Sequence, residues 1–246
     1  MRLAPHLYRL GSSSLVNSYL IEDGGAITVV DAGLPGLWND LVDEVQAMGR
    51  SLDDIKALVL THGDVDHVGF AERLRREHDI PVFVGAADAA EARGEVPKPA
   101  APRDPIRIGP LAGFLVYGLT HGGLRRTALS AVTPIEGSTT LDVPGAPVVV
   151  PLPGHTPGSV AYHVPMVDAI FMGDSMTTRS VVSGVTGPAL APFTVDPRQA
   201  LVSLDALDGL TANLVLPGHG DAWTGGLTEA LRLIRADRAR LAEQAA

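Results

Sequence analysis

Four apolar runs of strand length in this chain each lead into a short, glycine-bearing polar turn that carries histidine or aspartate. Ile55 to Leu60 passes directly into Thr61-His62-Gly63-Asp64-Val65-Asp66-His67-Val68-Gly69. Val148 to Val150 precedes Pro153-Gly154-His155-Thr156-Pro157-Gly158-Ser159, Asp168 to Met172 precedes Gly173-Asp174-Ser175, and Asn213 to Leu216 precedes Pro217-Gly218-His219-Gly220. Further strands are expected at Val16 to Ile21 and Ala26 to Val30, a hairpin about Asp23-Gly24-Gly25, and at Pro81 to Val84 and Ser159 to Val164. Between them lie helix-period segments. Leu37, Leu41, Val45 and Met48 form one apolar stripe ending at Gly49, while Phe70 to His78 and Ala86 to Arg93 read as short helices. Asp196 caps a helix over Pro197 to Leu207, and Leu227, Leu231, Ile234 and Leu241 share one face of a last helix. Such alternation predicts a layered α/β domain, a single one over 1–246. An excursion around 95–135 interrupts it, where Pro97, Pro99, Pro102, Pro105 and Pro110 are expected to forbid a regular helix from Val96 to Pro110.

Composition narrows the chemistry. The 246 residues include no cysteine, which removes disulfides, thiolate nucleophiles and thiolate zinc sites, so a metal must sit on nitrogen and oxygen. With 19 Lys and Arg against 28 Asp and Glu, the net charge of −9 disfavours a nucleic-acid partner. The longest uncharged apolar stretch, Ile108 to Leu124, is broken by Pro110 and several glycines and falls short of the roughly 20 residues of a membrane span. Arg2 and Arg9 interrupt Met1 to Leu20 and leave no signal-type apolar region, so a cytoplasmic location is expected.

His62, Asp64, Asp66 and His67 place four potential ligands within six positions at a strand end, where open α/β sheets build their sites. Histidine with carboxylate suits zinc, iron or manganese. A single Gly-His-Gly or Gly-Asp-Ser is ordinarily a turn, and it is the conjunction that points to a metal centre. The ordered series His62, Asp64, Asp66, His67, His155, Asp174, His219 resembles the metallo-β-lactamase superfamily, and the likeness runs from Val29-Val30-Asp31-Ala32-Gly33 to Pro217-Gly218-His219-Gly220. The resemblance implies an αββα sandwich: two mixed β-sheets face to face, helices on the outer faces, and a two-metal site at one edge. Carried over by position, His62, Asp64 and His155 hold one divalent ion, and Asp66, His67 and His219 the other. Asp174 bridges them, Asp66 also carries the catalytic assignment, and Asp31 orients a ligand through hydrogen bonds. Zinc is the first expectation for both ions, with iron or manganese as alternatives.

One position departs from the family pattern His-x-His-x-Asp-His, for Asp64 stands where the second histidine belongs. A degraded site is one reading of this. Against it, aspartate is itself a ligand and the other six positions are intact. Three aspartates and a shared hydroxide cancel the charge of two divalent ions, whereas histidine at 64 would leave one positive charge. The shared water should therefore be a weaker acid, and the ligand set harder, than in the histidine version. Flavodiiron relatives are similar in carrying a carboxylate here, although this chain lacks their flavodoxin domain.

The implied reaction is hydrolysis of a small ester, lactone or thioester through a metal-bridging hydroxide. No side-chain nucleophile is needed, so Ser159 and Ser175 default to turn residues, with Ser175 and Thr177 placed where they could also touch substrate. His163 is expected to be structural, and His121 to be either structural or turned toward the site. From Pro105 to Ile135 there is no acidic residue, only Arg107, Arg125, Arg126 and the apolar run Leu111 to Tyr117. That segment reads either as a buried helix or as a flap or homodimer surface beside the site recognising an apolar or anionic substrate. Two other functions stay open: iron-dependent redox chemistry of the flavodiiron or persulfide dioxygenase kind, and metal binding without catalysis. Neither a membrane nor a nucleic-acid partner is expected.

Overall fold

The computed structural model describes residues 1–101, 105–124 and 127–244, with side chains through 236. Pro102, Arg125, Arg126 and the side chain of Leu241, named above, lie outside the described residues.

Seven strands form the first sheet in chain order: β1 (Arg2–Ala4), β2 (Leu7–Arg9), β3 (Tyr19–Asp23), β4 (Ala26–Val30), β5 (Ile55–Val59), β6 (Val82–Gly85) and β7 (Thr133–Ile135). β1 through β4 pair antiparallel, and β4 through β7 pair parallel. The second sheet joins β8 (Val148–Pro151), β9 (Val160–Val164), β10 (Ala169–Gly173) and β13 (Leu214–Pro217) in the order β13-β10-β9-β8. Its β10–β13 pair is parallel and the rest antiparallel. A separate hairpin pairs β11 (Thr177–Arg179) with β12 (Thr186–Ala189).

Alternation along the strands decides the layering. On β3, Tyr19 and Ile21 face the second sheet and meet Tyr162, Val164 and Phe171, with the Tyr19 and Phe171 rings edge to face at 5.4 Å. Leu20, between them, points the other way with Val29 and Leu58, under α1 (Trp38–Ala47), α2 (Ala71–His78) and α3 (Ala89–Ala92). On the far side Ile170, Met172 and Val215 pack beneath α5 (Pro197–Ser203) and α6 (Leu227–Gln244). These three apolar layers make the two mixed sheets, with helices outside, of the expected αββα sandwich. No helix among the described residues is long and apolar enough to cross a membrane.

Several expected boundaries move for identifiable reasons. The first hairpin strand starts at Tyr19 and not at Val16, because the Asn17 N–H donates to the Gly218 carbonyl at 2.9 Å and draws that segment toward the loop after β13. Asp196 caps α5 by accepting from the amides of Arg198 and Gln199, but the helix tightens to a 3₁₀ turn over Leu204–Leu207. The proline-rich excursion does contain a helix, α4 (Ile108–Thr120). Pro110 is its third residue, in the first turn, where a missing N–H costs no helical hydrogen bond. The buried-helix alternative is also corrected, since no residue of α4 is buried.

Glu72 of α2 ties down the segment after α4. Its carboxylate accepts from the Arg75 guanidinium at 3.0 and 3.1 Å, from Ser130 N at 3.0 Å and from Ser130 Oγ at 2.8 Å. Partial burial alone would raise its pKa, but these donors outweigh it and bring the carboxyl down to about 2. A depressed carboxylate contributes stability that is complete above the unfolded value of about 4.3 and is lost as pH falls through the folded one. Glu72→Gln should therefore cost about 1–2 kcal/mol at pH 7 after allowance for solvent screening. In urea titrations that difference should shrink steadily as pH falls below about 4.3; a gap that stays constant down to pH ~3 contradicts the assignment.

Candidate metal centre

The strands β5, β8, β10 and β13 all end at the same edge of the sandwich, and the four polar turns meet there. Thr61 through His67 follow β5, His155 follows β8, Asp174 follows β10 and His219 follows β13. Two glycines make this approach possible. A Cβ on Gly173, whose φ is +49°, would collide with the Thr61 side chain, and one on Gly218 would collide with Asp174 Oδ1 and the His67 ring. Asn17 and Tyr19 fix the last turn, since Asn17 Nδ2 donates to the carbonyls of Pro217 and Gly220 and Tyr19 Oη to that of Pro217. Asp88, buried just before α3, braces two other turns by accepting from Gly63 N at 3.1 Å, Gly158 N at 2.7 Å and Thr156 Oγ1.

All seven side chains singled out in the sequence are brought together. Asp64 Oδ2 lies 3.3 Å from His62 Nε2 and 3.1 Å from His155 Nε2, and Asp66 Oδ2 lies 3.4 Å from His219 Nε2. Asp174 stands between the groups, with Oδ1 at 3.5 Å from His67 Nε2 and Oδ2 at 3.6 and 3.2 Å from His155 and His219 Nε2. Three triads have ligand atoms close enough to share an ion: His62, Asp64 and His155; His62, His67 and Asp174; and Asp66, His67 and His219.

The hydrogen-bond network assigns the tautomers. Thr61 Oγ1 donates its hydrogen to Asp31 Oδ2 at 2.8 Å, so His62 Nδ1, at 3.0 Å from that hydroxyl, must be the donor to it. Thr194 Oγ1 likewise donates to the Ala191 carbonyl and accepts from His155 Nδ1 at 3.2 Å. His67 Nδ1 donates to Asp31 Oδ2 at 2.9 Å, and His219 Nδ1 donates to the Leu15 carbonyl. Every Nδ1–H is thus committed outward, so each Nε2 faces inward, where it offers a lone pair to a cation once its ring is neutral. His62 Nε2, His67 Nε2 and Asp174 Oδ1 are buried there without a hydrogen-bond partner. Buried imidazole nitrogens facing carboxylates call for a cation between them, a proton or a metal, and nitrogen and oxygen donors in this number suit a divalent metal.

Charge in the cluster follows the same logic. Burial would raise Asp174, but His219 and His67 outweigh it and hold its carboxyl well below the ordinary range. Burial likewise opposes a charged His219, yet Asp174 and then Asp66 push it up to about 9. Asp64 is held low against burial by His62, His155 and Lys98.

The family model of the metallo-beta-lactamase superfamily matches residues 13–219. The chain belongs to the metallo-beta-lactamase superfamily. Among the relatives of this superfamily member, the probable metallo-hydrolase YflN of Bacillus subtilis is 28% identical over 225 residues, covering 86% of this chain and 83% of its own. The metallo-beta-lactamase family protein TTHA1429 of Thermus thermophilus superposes with a TM-score of 0.67 over 98% of this chain and 82% of its own, at 23% identity. TTHA1623, solved in a di-iron-bound form, is 28% identical, with a TM-score of 0.58 over 87% of this chain and 92% of its own. The superfamily fold is therefore the αββα sandwich described above, and its centre is one that binds divalent metals.

Other expectations for this superfamily member meet mixed outcomes. Asp31 does contact a candidate ligand, His67, as well as Thr61. Ser175 and Thr177 are buried, and Thr177 Oγ1 donates within reach of the His219 and Arg179 carbonyls, so neither hydroxyl lines the cavity over the centre. His121 stacks on Tyr117 with centroids 4.0 Å apart and is likewise not among the cavity-lining residues, while His163 Nε2 donates to the Thr211 carbonyl. Lys98 was not anticipated. Its ammonium donates to Asp64 Oδ2 and, at 2.9 Å, to His155 Nε2. It is one of only two lysines in a chain whose cations are otherwise arginine, and that was the one available signal. Glu91 was also missed; burial, with the Asp64 and Asp88 carboxylates, pushes it up to about 7.

Proposed function

We propose that this protein is a binuclear metal-dependent hydrolase acting on a small ester, lactone or thioester. The observation that carries the reading is the set of four histidines whose Nδ1–H groups are all spent outward while their Nε2 atoms converge on three carboxylates. His62, Asp64 and His155 would hold one ion and Asp66, His67 and His219 the other, with Asp174 reaching both sets. Bound there, two divalent cations supply Lewis acidity toward a water and a carbonyl oxygen.

The chain's own residues do the rest. Asp66, whose side chain is 17% exposed, lines the cavity over the centre and takes the proton of the attacking water at its carboxylate. Lys98 lines the same cavity and offers ammonium hydrogens to the oxygen on which negative charge develops. Asp31 and Thr61 keep the imidazoles of His67 and His62 aimed. The cavity of about 400 Å³ is of a size for a small molecule, in keeping with a small acyl substrate as partner.

Zinc is the first candidate for both positions, with iron or manganese as alternatives. The carboxylate at 64 and the di-iron form of TTHA1623 favour testing iron directly. Purified protein should contain about two ions per chain and cleave members of an ester, lactone and thioester panel, lose both properties on chelation and regain them on metal return. Iron with oxygen consumption and no hydrolysis would replace this reading by the redox one, and bound metal without either activity would leave a binding protein.

A further inference from the structure

Helix α4 is not used by the reaction just described. Its thirteen residues include no charged side chain, yet none of them is buried. Leu115 and Leu119 are 54% and 55% exposed, and Leu124, just beyond the helix, is 82% exposed. A helix this apolar ordinarily hides one face. Phe114 and Tyr117 do pack against the core, and the Phe114 ring meets His219 edge to face at 5.8 Å. The side bearing Leu115, Gly118 and Leu119 instead walls the cavity whose floor is formed by Asp64, Asp66, His155, Asp174 and His219.

That cavity has two chemically different ends. Among the described residues its charged lining groups are Glu91, Lys98 and the three aspartates, and Lys98 contacts Asp64 and His155 at the floor. Away from the floor, the described lining residues Val96, Leu115, Leu119 and Leu124 are apolar. Gly118 adds to its depth. It lies in the last turn of α4 without a left-handed φ, so the backbone does not demand glycine, and an added Cβ would meet nothing within 4 Å. Gly118 is among the residues lining the cavity, and a larger side chain there has room to extend.

We propose that this groove holds the acyl chain of the substrate, an unbranched apolar chain of medium length whose ester, lactone or thioester carbonyl reaches the histidine and aspartate floor, and that Gly118 sets the length admitted. The inference rests on the hydrolase reading for the nature of the reacting group. The occupant follows from continuity, since one molecule must present a polar reacting end to the floor and an apolar end to the α4 wall. A second protein copy laid on α4 would cover the outer leucines but would not fill the space at Gly118.

The test is a chain-length series of thioesters and lactones, acetyl to decanoyl, on the metal-loaded protein. kcat/KM should rise by about fourfold per added methylene until the groove is full. Gly118→Leu should cut the octanoyl-to-acetyl ratio by about tenfold, with Gly118→Ala between it and wild type. Thermal melts check that both variants fold. A flat series, or an unchanged ratio in a folded Gly118→Leu, overturns the proposal while leaving the hydrolase reading standing. If no substrate of any length is cleaved, the hydrolase reading fails, and calorimetric titration with octanoate still decides the groove. Binding weakened about tenfold by Gly118→Leu supports it, and absent binding overturns it. A dimer that Leu115→Glu dissociates, together with a flat series, would assign the helix to a second copy and overturn the proposal.

Discussion

Asp174→Ala is expected to lower hydrolysis by about three orders of magnitude and to leave a folded protein that retains little metal. Asp174 is buried, and its two oxygens lie between Nε2 atoms of three histidines drawn from three different loops. No other carboxylate of the cluster is in that position, for Asp64 pairs with His62 and His155 and Asp66 with His219. Its removal takes away a negative charge that the two proposed ions share, which weakens both positions at once. The fold should survive, because the variant also relieves crowding among buried carboxylates, and the sheets beneath are held by apolar packing that Asp174 does not join. Elemental analysis and turnover on the same sample, with a thermal melt of the metal-free forms, check this. A variant with full metal content and substantial activity would remove Asp174 from the centre.

The second large effect is expected at Asp31, which touches no substrate. Asp31 occupies a left-handed backbone conformation, φ +58°, that asparagine also tolerates, so Asp31→Asn changes the hydrogen bonding and little else. The carboxylate accepts Thr61 N–H at Oδ1 and both Thr61 Oγ1 and His67 Nδ1–H at Oδ2. An amide offers one acceptor and one donor. If its oxygen keeps the two donors at Oδ2, its NH₂ faces the Thr61 amide, and a buried donor meets a donor. If it turns over, His67 must move its proton to Nε2 and lose the lone pair aimed at the centre. Either outcome should weaken metal binding about 10- to 100-fold and cost about 1–3 kcal/mol of stability, measured by metal titration and urea unfolding. A folded variant with wild-type affinity would show that the tautomer of His67 is held some other way.

The ligand series was legible in the sequence because each member follows directly on an apolar run, so that placing the strands placed the ligands. The layering was legible only through the likeness to the superfamily, because Tyr19, Leu20 and Ile21 are all apolar and their run does not by itself separate two faces. What escaped was built by contacts between distant segments. Asp88 reads as an ordinary residue before a short helix, and its role appears only when the turns carrying Gly63 and Gly158 close on it. Lys98 sits between two prolines in a stretch without periodicity, and nothing local aims it at Asp64. Three-residue strands such as β1, β2 and β11 are too short for a pattern and exist because a neighbour supplies the ladder. For α4, the apolar composition left both burial and a flap beside the site open, and only the three-dimensional arrangement decides between them by placing the helix beside an open cavity.

The contact between Asp64 and Lys98 makes the two positions interdependent under mutation. The carboxylate that departs from the family pattern is the anion the lysine answers, so restoring histidine at 64 alone would leave an ammonium among three imidazoles with its counter-charge gone. Asp64→His should therefore impair metal uptake in this background and do far less harm alongside Lys98→Met, a sign of epistasis readable from a double-mutant cycle. In an evolving lineage the histidine version and the aspartate version would then be separated by a coupled pair of changes, and position 98 would carry the record of which one the centre had adopted.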